Sequence, residues 1–155
     1  METKTIALVA HDNCKKDLIE WVRFNQTKLI DHNLVCTGTT GRLVVEALNT
    51  SQDKDEPIVP VKIKRLKSGP LGGDQQLGAL IAEGKIDILI FFWDPMQPQA
   101  HDVDVKALSR IAVLYNIPTA NNRATADFMI SSVLFEGDYK IDPVDFQAYV
   151  NRELK

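Results

Sequence analysis

The sequence has little of what would staple, anchor or metallate a protein. Two cysteines, Cys14 and Cys36, stand in 155 residues, and neither belongs to a Cys-x-x-Cys pair. That excludes a disulfide framework and predicts two reduced, buried thiols. Histidine is scarce at three, and no His-Glu-x-x-His spacing occurs, so neither a metal nor a cofactor is expected. No Gly-x-Ser-x-Gly elbow or Walker loop is present, which argues against hydrolase and nucleotidase chemistry. No apolar run approaches the roughly 18 residues of a membrane span, and Met-Glu-Thr-Lys-Thr leads into a strand with no secretory apolar region. A cytoplasmic protein with no membrane partner is expected. The net charge of −3 provides no basic face, so nucleic acid is not an expected partner, although a local basic pocket for one small anion stays open. Repeats, low-complexity tracts and linkers are absent, and residues 1–155 read as a single domain. At that size about 70% of the unfolded surface is buried, so no staple is needed.

What is present is an alternation of short β runs and helical stretches. Thr5 to Ala10 is a compact apolar run suited to a strand buried on both faces. Asp12 or Asn13 can cap a helix through Leu18, Ile19 and Val22. Asn33 to Cys36 is a second strand, followed by a helix through Leu43, Val44 and Leu48. Ser51 to Glu56 reads as a solvated loop closed by Pro57. Val61 to Leu66 alternates apolar and basic residues, as an edge strand would. Ser68 to Asp74 is a tight loop opening a helix that Gly84 ends. Ile86 to Trp93 is the strongest strand. A loop from Asp94 to Asp104 precedes a helix from Val105 to Tyr115. Pro118 to Ala120 is a fifth strand, Ala124 to Ser132 a helix, and a terminal helix runs from Asp142 to near Leu154. This order predicts a three-layer α/β/α fold with a five-stranded, mainly parallel sheet of Rossmann type. Ligands of such folds bind beyond the carboxyl ends of the strands.

Polar residues gather at those ends. Thr37-Gly38-Thr39-Thr40-Gly41 suits an anion: glycine permits close approach, hydroxyls donate, and the following helix offers free N–H groups. Lys15 can add a positive charge. Ser68-Gly69 stands at the next strand end. Asp74 is either the N-cap of its helix, a general base acting on carbon beside a carbonyl, or both; a plain N-cap would hold its pKa down. His11 and His101 fall in strand-end loops, where a neutral imidazole can donate to a developing enediolate oxygen. Asp12, Asp94, Asp102 and Asp104 can orient them. His32 reads as a surface residue.

His11-Asp12-Asn13-Cys14-Lys15, Thr37 to Gly41, Ser68-Gly69-Pro70-Leu71-Gly72-Gly73-Asp74-Gln75-Gln76, and Phe91-Phe92-Trp93-Asp94-Pro95 with His101-Asp102-x-Asp104 together resemble the methylglyoxal synthase family. The resemblance spans nearly the whole chain. It implies a lyase that converts dihydroxyacetone phosphate to methylglyoxal and inorganic phosphate, with phosphate as inhibitor. It implies Asp74 as catalytic base, with His101 and Asp104 at the reacting centre. It implies a substrate-binding set of His11, Lys15, Thr37, Gly38, Thr39, Thr40, Ser68, Gly69 and His101. A homohexamer is implied, as is a fold shared with the regulatory domain of carbamoyl phosphate synthetase and with IMP cyclohydrolase. Ser51 to Lys67 is longer than the family's usual connection, which bears on an edge strand or a subunit contact. Two other functions fit parts of the pattern. A sensor domain for a phosphorylated metabolite explains the anion cradle but gives Asp74 and His101 no task. A triose phosphate isomerase analogue shares the base and the phosphate site.

Overall fold

The computed structural model describes residues 2–49 and 61–153. Five strands pair in parallel: β1 (Thr5–Ala10), β2 (Asn33–Cys36), β3 (Ile63–Arg65), β4 (Ile88–Phe92) and β5 (Thr119–Ala120), in the order β3-β2-β1-β4-β5. The main helices are α1 (Lys15–Phe24), α3 (Gly38–Asn49), α4 (Gly73–Ala82), α5 (Asp102–Leu114) and α6 (Arg123–Ser131). Short helices α2 (Gln26–Leu29), α7 (Val133–Glu136) and α8 (Gln147–Val150) complete the described residues.

Side-chain alternation in the strands explains the layers. Ile6, Leu8 and Ala10 of β1 join Trp21 and Val22 of α1, Val44 of α3 and Ile130 of α6 in one core. Ala7 and Val9 face the other way, into a core with Leu77 and Ile81 of α4 and Leu108 of α5. Every residue of β1 from Ile6 to Ala10 is buried, as a central parallel strand requires. The strand order reverses between β1 and β4, and that switch point opens a crevice at their carboxyl ends. β3 lies at the edge, with Lys64 and Arg65 exposed.

Several sequence expectations need correction. Neither Asp12 nor Asn13 caps α1. A 3-10 turn, Asp12–Cys14, comes first; Asp12 takes the Lys15 ammonium and Asn13 donates to Asp94 at 2.8 Å. α5 begins at Asp102, inside the expected loop. Among the described residues the terminal helix is confined to α8, just after Asp145 accepts the Gln147 N–H at 2.8 Å; Leu154 lies outside the described residues. So does the expected Ser51 to Glu56 loop with Pro57, along with most of the long connection. The short helices α2 and α7 have too few turns to show a period in the sequence.

His32 is buried, not on the surface: it is 2% exposed. Its Nδ1 accepts the backbone N–H of Lys4 at 3.2 Å, and its ring meets Phe135 edge-on at 5.3 Å. The accepted bond leaves Nδ1 without a proton, so this contact needs the neutral ring. Burial lowers the His32 pKa, Lys4 lowers it further, and Asp31 and Asp87 oppose. A folded-state pKa below the unfolded one gives stability that is present above about pH 6.5 and is lost as pH falls through and below it. Urea unfolding is therefore expected to show lower stability at about pH 5.5 than at about pH 7.5. His32→Asn, whose amide oxygen can still accept the Lys4 N–H, should flatten that slope; an unchanged slope would clear His32 of the effect.

Candidate active site

The loops after β1, β2, β3 and β4 enclose a cavity of about 220 Å3. His11, Lys15, Thr37, Thr39, Thr40, Ser68, Gly69, Asp74 and His101 line it, although they come from segments far apart in the chain. Gly38 and Asp104 are not among the lining residues.

The approach of the loops is governed by close backbone packing. A side chain at Gly38 would begin 2.7 Å from the Ser68 Cα. The Gly38 N–H donates to the Leu66 and Lys67 carbonyls, both at 3.1 Å. Gly38 thus joins the two anion-suited loops instead of facing a ligand. The Gly41 N–H bonds the Thr37 carbonyl, so the first turn of α3 leaves the Thr39 and Thr40 N–H groups without acceptors in the helix. Lys15, the first residue of α1, brings its ammonium to the same space.

Gly69 plays the matching part beside His101 and Asp74. A Cβ there would stand 2.9 Å from His101 Nε2 and 3.1 Å from Asp74 Oδ2. Its absence lets the imidazole and the carboxylate come within 3.6 Å of each other, beyond hydrogen-bond length. Gly72 occupies the N-cap of α4, and Asp74 is the second residue of the helix, so the capping alternative falls. Asp74 is 3% exposed. Burial raises its pKa; His101 opposes this and Asp104, just outside the cavity, adds to it. A helix-start aspartate would ordinarily titrate low, but desolvation wins here.

His11 is fixed by the neighbouring strand. The backbone N–H of Asp94 donates to its Nδ1 at 3.1 Å, so the neutral ring carries its proton on Nε2. Burial lowers the His11 pKa, with His101 acting in the same direction and Asp94, Asp102 and Asp12 opposing. The Asp94 carboxylate is occupied elsewhere, by Asn13 Nδ2 and by the Met96 and Gln97 N–H groups. Orientation of His11 therefore comes from the main chain of Asp94 and not from the side chain anticipated. Three buried polar atoms here have no protein partner: His11 Nε2, Asp74 Oδ2 and His101 Nδ1. Buried polar groups are ordinarily paired, so such a cluster marks groups held for a ligand.

Sequence reasoning passed over Gln99 in the lining, and quoted Pro70 and Phe91 only as motif residues without a place in the site. Gln99 lies two residues before His101, and its place at a strand-end loop was the available signal. Among the described residues, no group of three or more His, Cys, Asp or Glu side chains is placed to hold a metal.

The MGS-like domain model matches residues 17–121. A methylglyoxal synthase from Maridesulfovibrio salexigens is 61% identical, with 99% of each chain covered. The chain belongs to the methylglyoxal synthase family. A methylglyoxal synthase from Pectobacterium atrosepticum is 52% identical, covering 98% of this chain and 93% of the relative. The crystal structure of methylglyoxal synthase from Elizabethkingia anophelis superposes with a TM-score of 0.85 at 50% identity, over 99% of this chain and 93% of that one. That agreement confirms the three-layer fold and its parallel sheet.

A methyl group at Gly69 tests the packing. Gly69→Ala should push His101 and Asp74 apart by several tenths of an ångström. Turnover is expected to fall by about a hundredfold, since a misplacement of that order is costly to catalysis. The thermal midpoint should move by only a few degrees, roughly what a local strain of 1 kcal/mol gives. Steady-state kinetics and a melting curve on one preparation check this; wild-type turnover would disprove the close-packing argument.

Proposed function

We propose that this cavity converts dihydroxyacetone phosphate to methylglyoxal and inorganic phosphate, with Asp74 as the base. The observation carrying this reading is the unpartnered Oδ2 of Asp74, buried beside His101 and sharing a cavity with Lys15 and three threonines. Asp74 takes a proton from the hydroxymethyl carbon. The electron pair moves to the carbonyl oxygen, where the Nε2 proton of His11 and the His101 ring stabilise the charge. A proton then passes between the two enediolate oxygens. The pair on the terminal oxygen forms an aldehyde C=O, the double bond shifts, and the bond to phosphate oxygen breaks. The products are inorganic phosphate and an enol that ketonises to methylglyoxal.

Lys15, Thr37, Thr39, Thr40, Ser68 and Gly69 hold the phosphate in this reading. Gly38 acts by joining their loops, and Asp104 by raising the basicity of Asp74. A cradle that holds the C–O bond perpendicular to the enediolate plane favours elimination; one that holds it in the plane favours isomerisation. No cofactor is required for these steps. Phosphate, which fits the same cradle, is the expected inhibitor. A single domain, a homohexamer and a cytoplasmic location complete the proposal; among the described residues, no helix is long and apolar enough to cross a membrane.

Incubation with dihydroxyacetone phosphate, followed by assay of methylglyoxal, glyceraldehyde 3-phosphate and phosphate, tests the reaction. Equal methylglyoxal and phosphate is expected; glyceraldehyde 3-phosphate alone would make the protein an isomerase, and no product a sensor. Asp74→Asn should lower turnover by about a thousandfold or more, with apparent substrate affinity within about tenfold. Full activity in that variant would refute the base.

The pH profile is a separate check. A base must be deprotonated, so kcat/KM should fall as the medium is acidified through the raised Asp74 pKa, above the usual value of about 3.9. Asp104→Asn removes one cause of that rise and should move the acid limb to lower pH. A limb that moves upward would contradict the assignment.

A further inference from the structure

Lys15 does not face the cavity alone. Asp12 also lines it, and its Oδ1 accepts the Lys15 ammonium. The two partners differ in setting: the Lys15 side chain is 20% exposed and that of Asp12 is 92% exposed. A pair so open to water contributes little to folding. Its effect falls instead on any anion that approaches Lys15. A phosphate bound there must displace the carboxylate or sit beside it, and two negative groups sharing one ammonium repel each other.

We propose that Asp12 is a positioning counter-ion that holds Lys15 over the empty phosphate cradle and opposes retention of phosphate. This rests on the phosphate reading of the cradle given above. The carboxylate keeps the ammonium from folding away into solvent while the site is vacant. It then weakens the hold on every phosphate, substrate and product alike. The substrate recovers affinity through its contacts with the histidines and Asp74, which inorganic phosphate lacks. Asp12 therefore lets the product leave from a site built to bind its charge. The Lys15 contact holds the Asp12 carboxyl below the usual aspartate range, so the counter-charge is present throughout the neutral range.

Calorimetric titration of the intact protein with inorganic phosphate tests this. Asp12→Asn should tighten phosphate binding about three- to tenfold at low salt, the scale of one partly screened charge. The gain should shrink at about 0.5 M salt, where the screening length is a few ångströms. It should shrink in the Lys15→Ala background, because that lysine is what holds the Asp12 carboxylate at the cradle. Asp12→Glu, which can still reach Lys15, should restore wild-type affinity. A role confined to supporting the turn before α1 cannot produce tighter binding. If Lys15→Ala weakens phosphate while Asp12→Asn leaves it unchanged or weaker, the counter-ion proposal is wrong and the cradle stands. If Lys15→Ala binds phosphate as wild type does, the cradle itself fails.

Discussion

An aspartate oxygen buried without a partner is the constraint on which the rest of this structure depends. Leaving such a group unsatisfied costs about 1–3 kcal/mol, more when it is charged. His101 favours the charge of Asp74, but desolvation by burial outweighs it. The cost is borne by the two apolar cores, whose strands and helices hold α4 against the sheet. Stability generated far from the cavity thus maintains a reactive group inside it, a common arrangement at sites of perturbed titration.

The same constraint explains why missing side chains matter as much as present ones. Asp74, His101 and Gly69 meet only because position 69 has no Cβ. The loops after β2 and β3 meet only because position 38 has none. One glycine closes the reacting end and the other closes the anion end. Between them the parallel sheet sets the distance, since both loops leave the carboxyl ends of the adjacent strands β2 and β3. A Thr-Gly-Thr-Thr-Gly turn alone is an ordinary helix start. Its juxtaposition with Ser68 and Lys15 is what supports the proposal that it is an anion cradle.

This bears on what could be read from the sequence. Strand and helix alternation was legible because each long element shows its period, and the carboxyl-edge rule then pointed to the loops that enclose the cavity. What escaped depended on tertiary partners. His32 is polar in sequence, and only the Lys4 N–H and the Phe135 ring make it a buried residue. Asp94 was legible as a possible histidine orienter, but its main chain does the work while its carboxylate ties the β4–α5 loop. The Asp12–Lys15 pair replaced the cap that position 12 suggested. A side chain with two possible bonds reveals its choice only when its neighbours are placed.

The site also separates its charges by task. His11 has one nitrogen committed to a main-chain N–H and is held neutral by burial, so it offers a proton without carrying a formal charge. A neutral donor can hydrogen-bond a developing enediolate oxygen without a protonation step of its own. In the proposed reading the formal positive charge is that of Lys15, at the phosphate cradle, where negative charge accumulates as phosphate departs. An isomerase shares the carboxylate base and the neutral imidazole but must leave the phosphate ester intact. In the proposed reading a neutral imidazole serves enediolate chemistry of either outcome, so the choice between release and return rests on how the cradle turns the C–O bond relative to the enediolate plane.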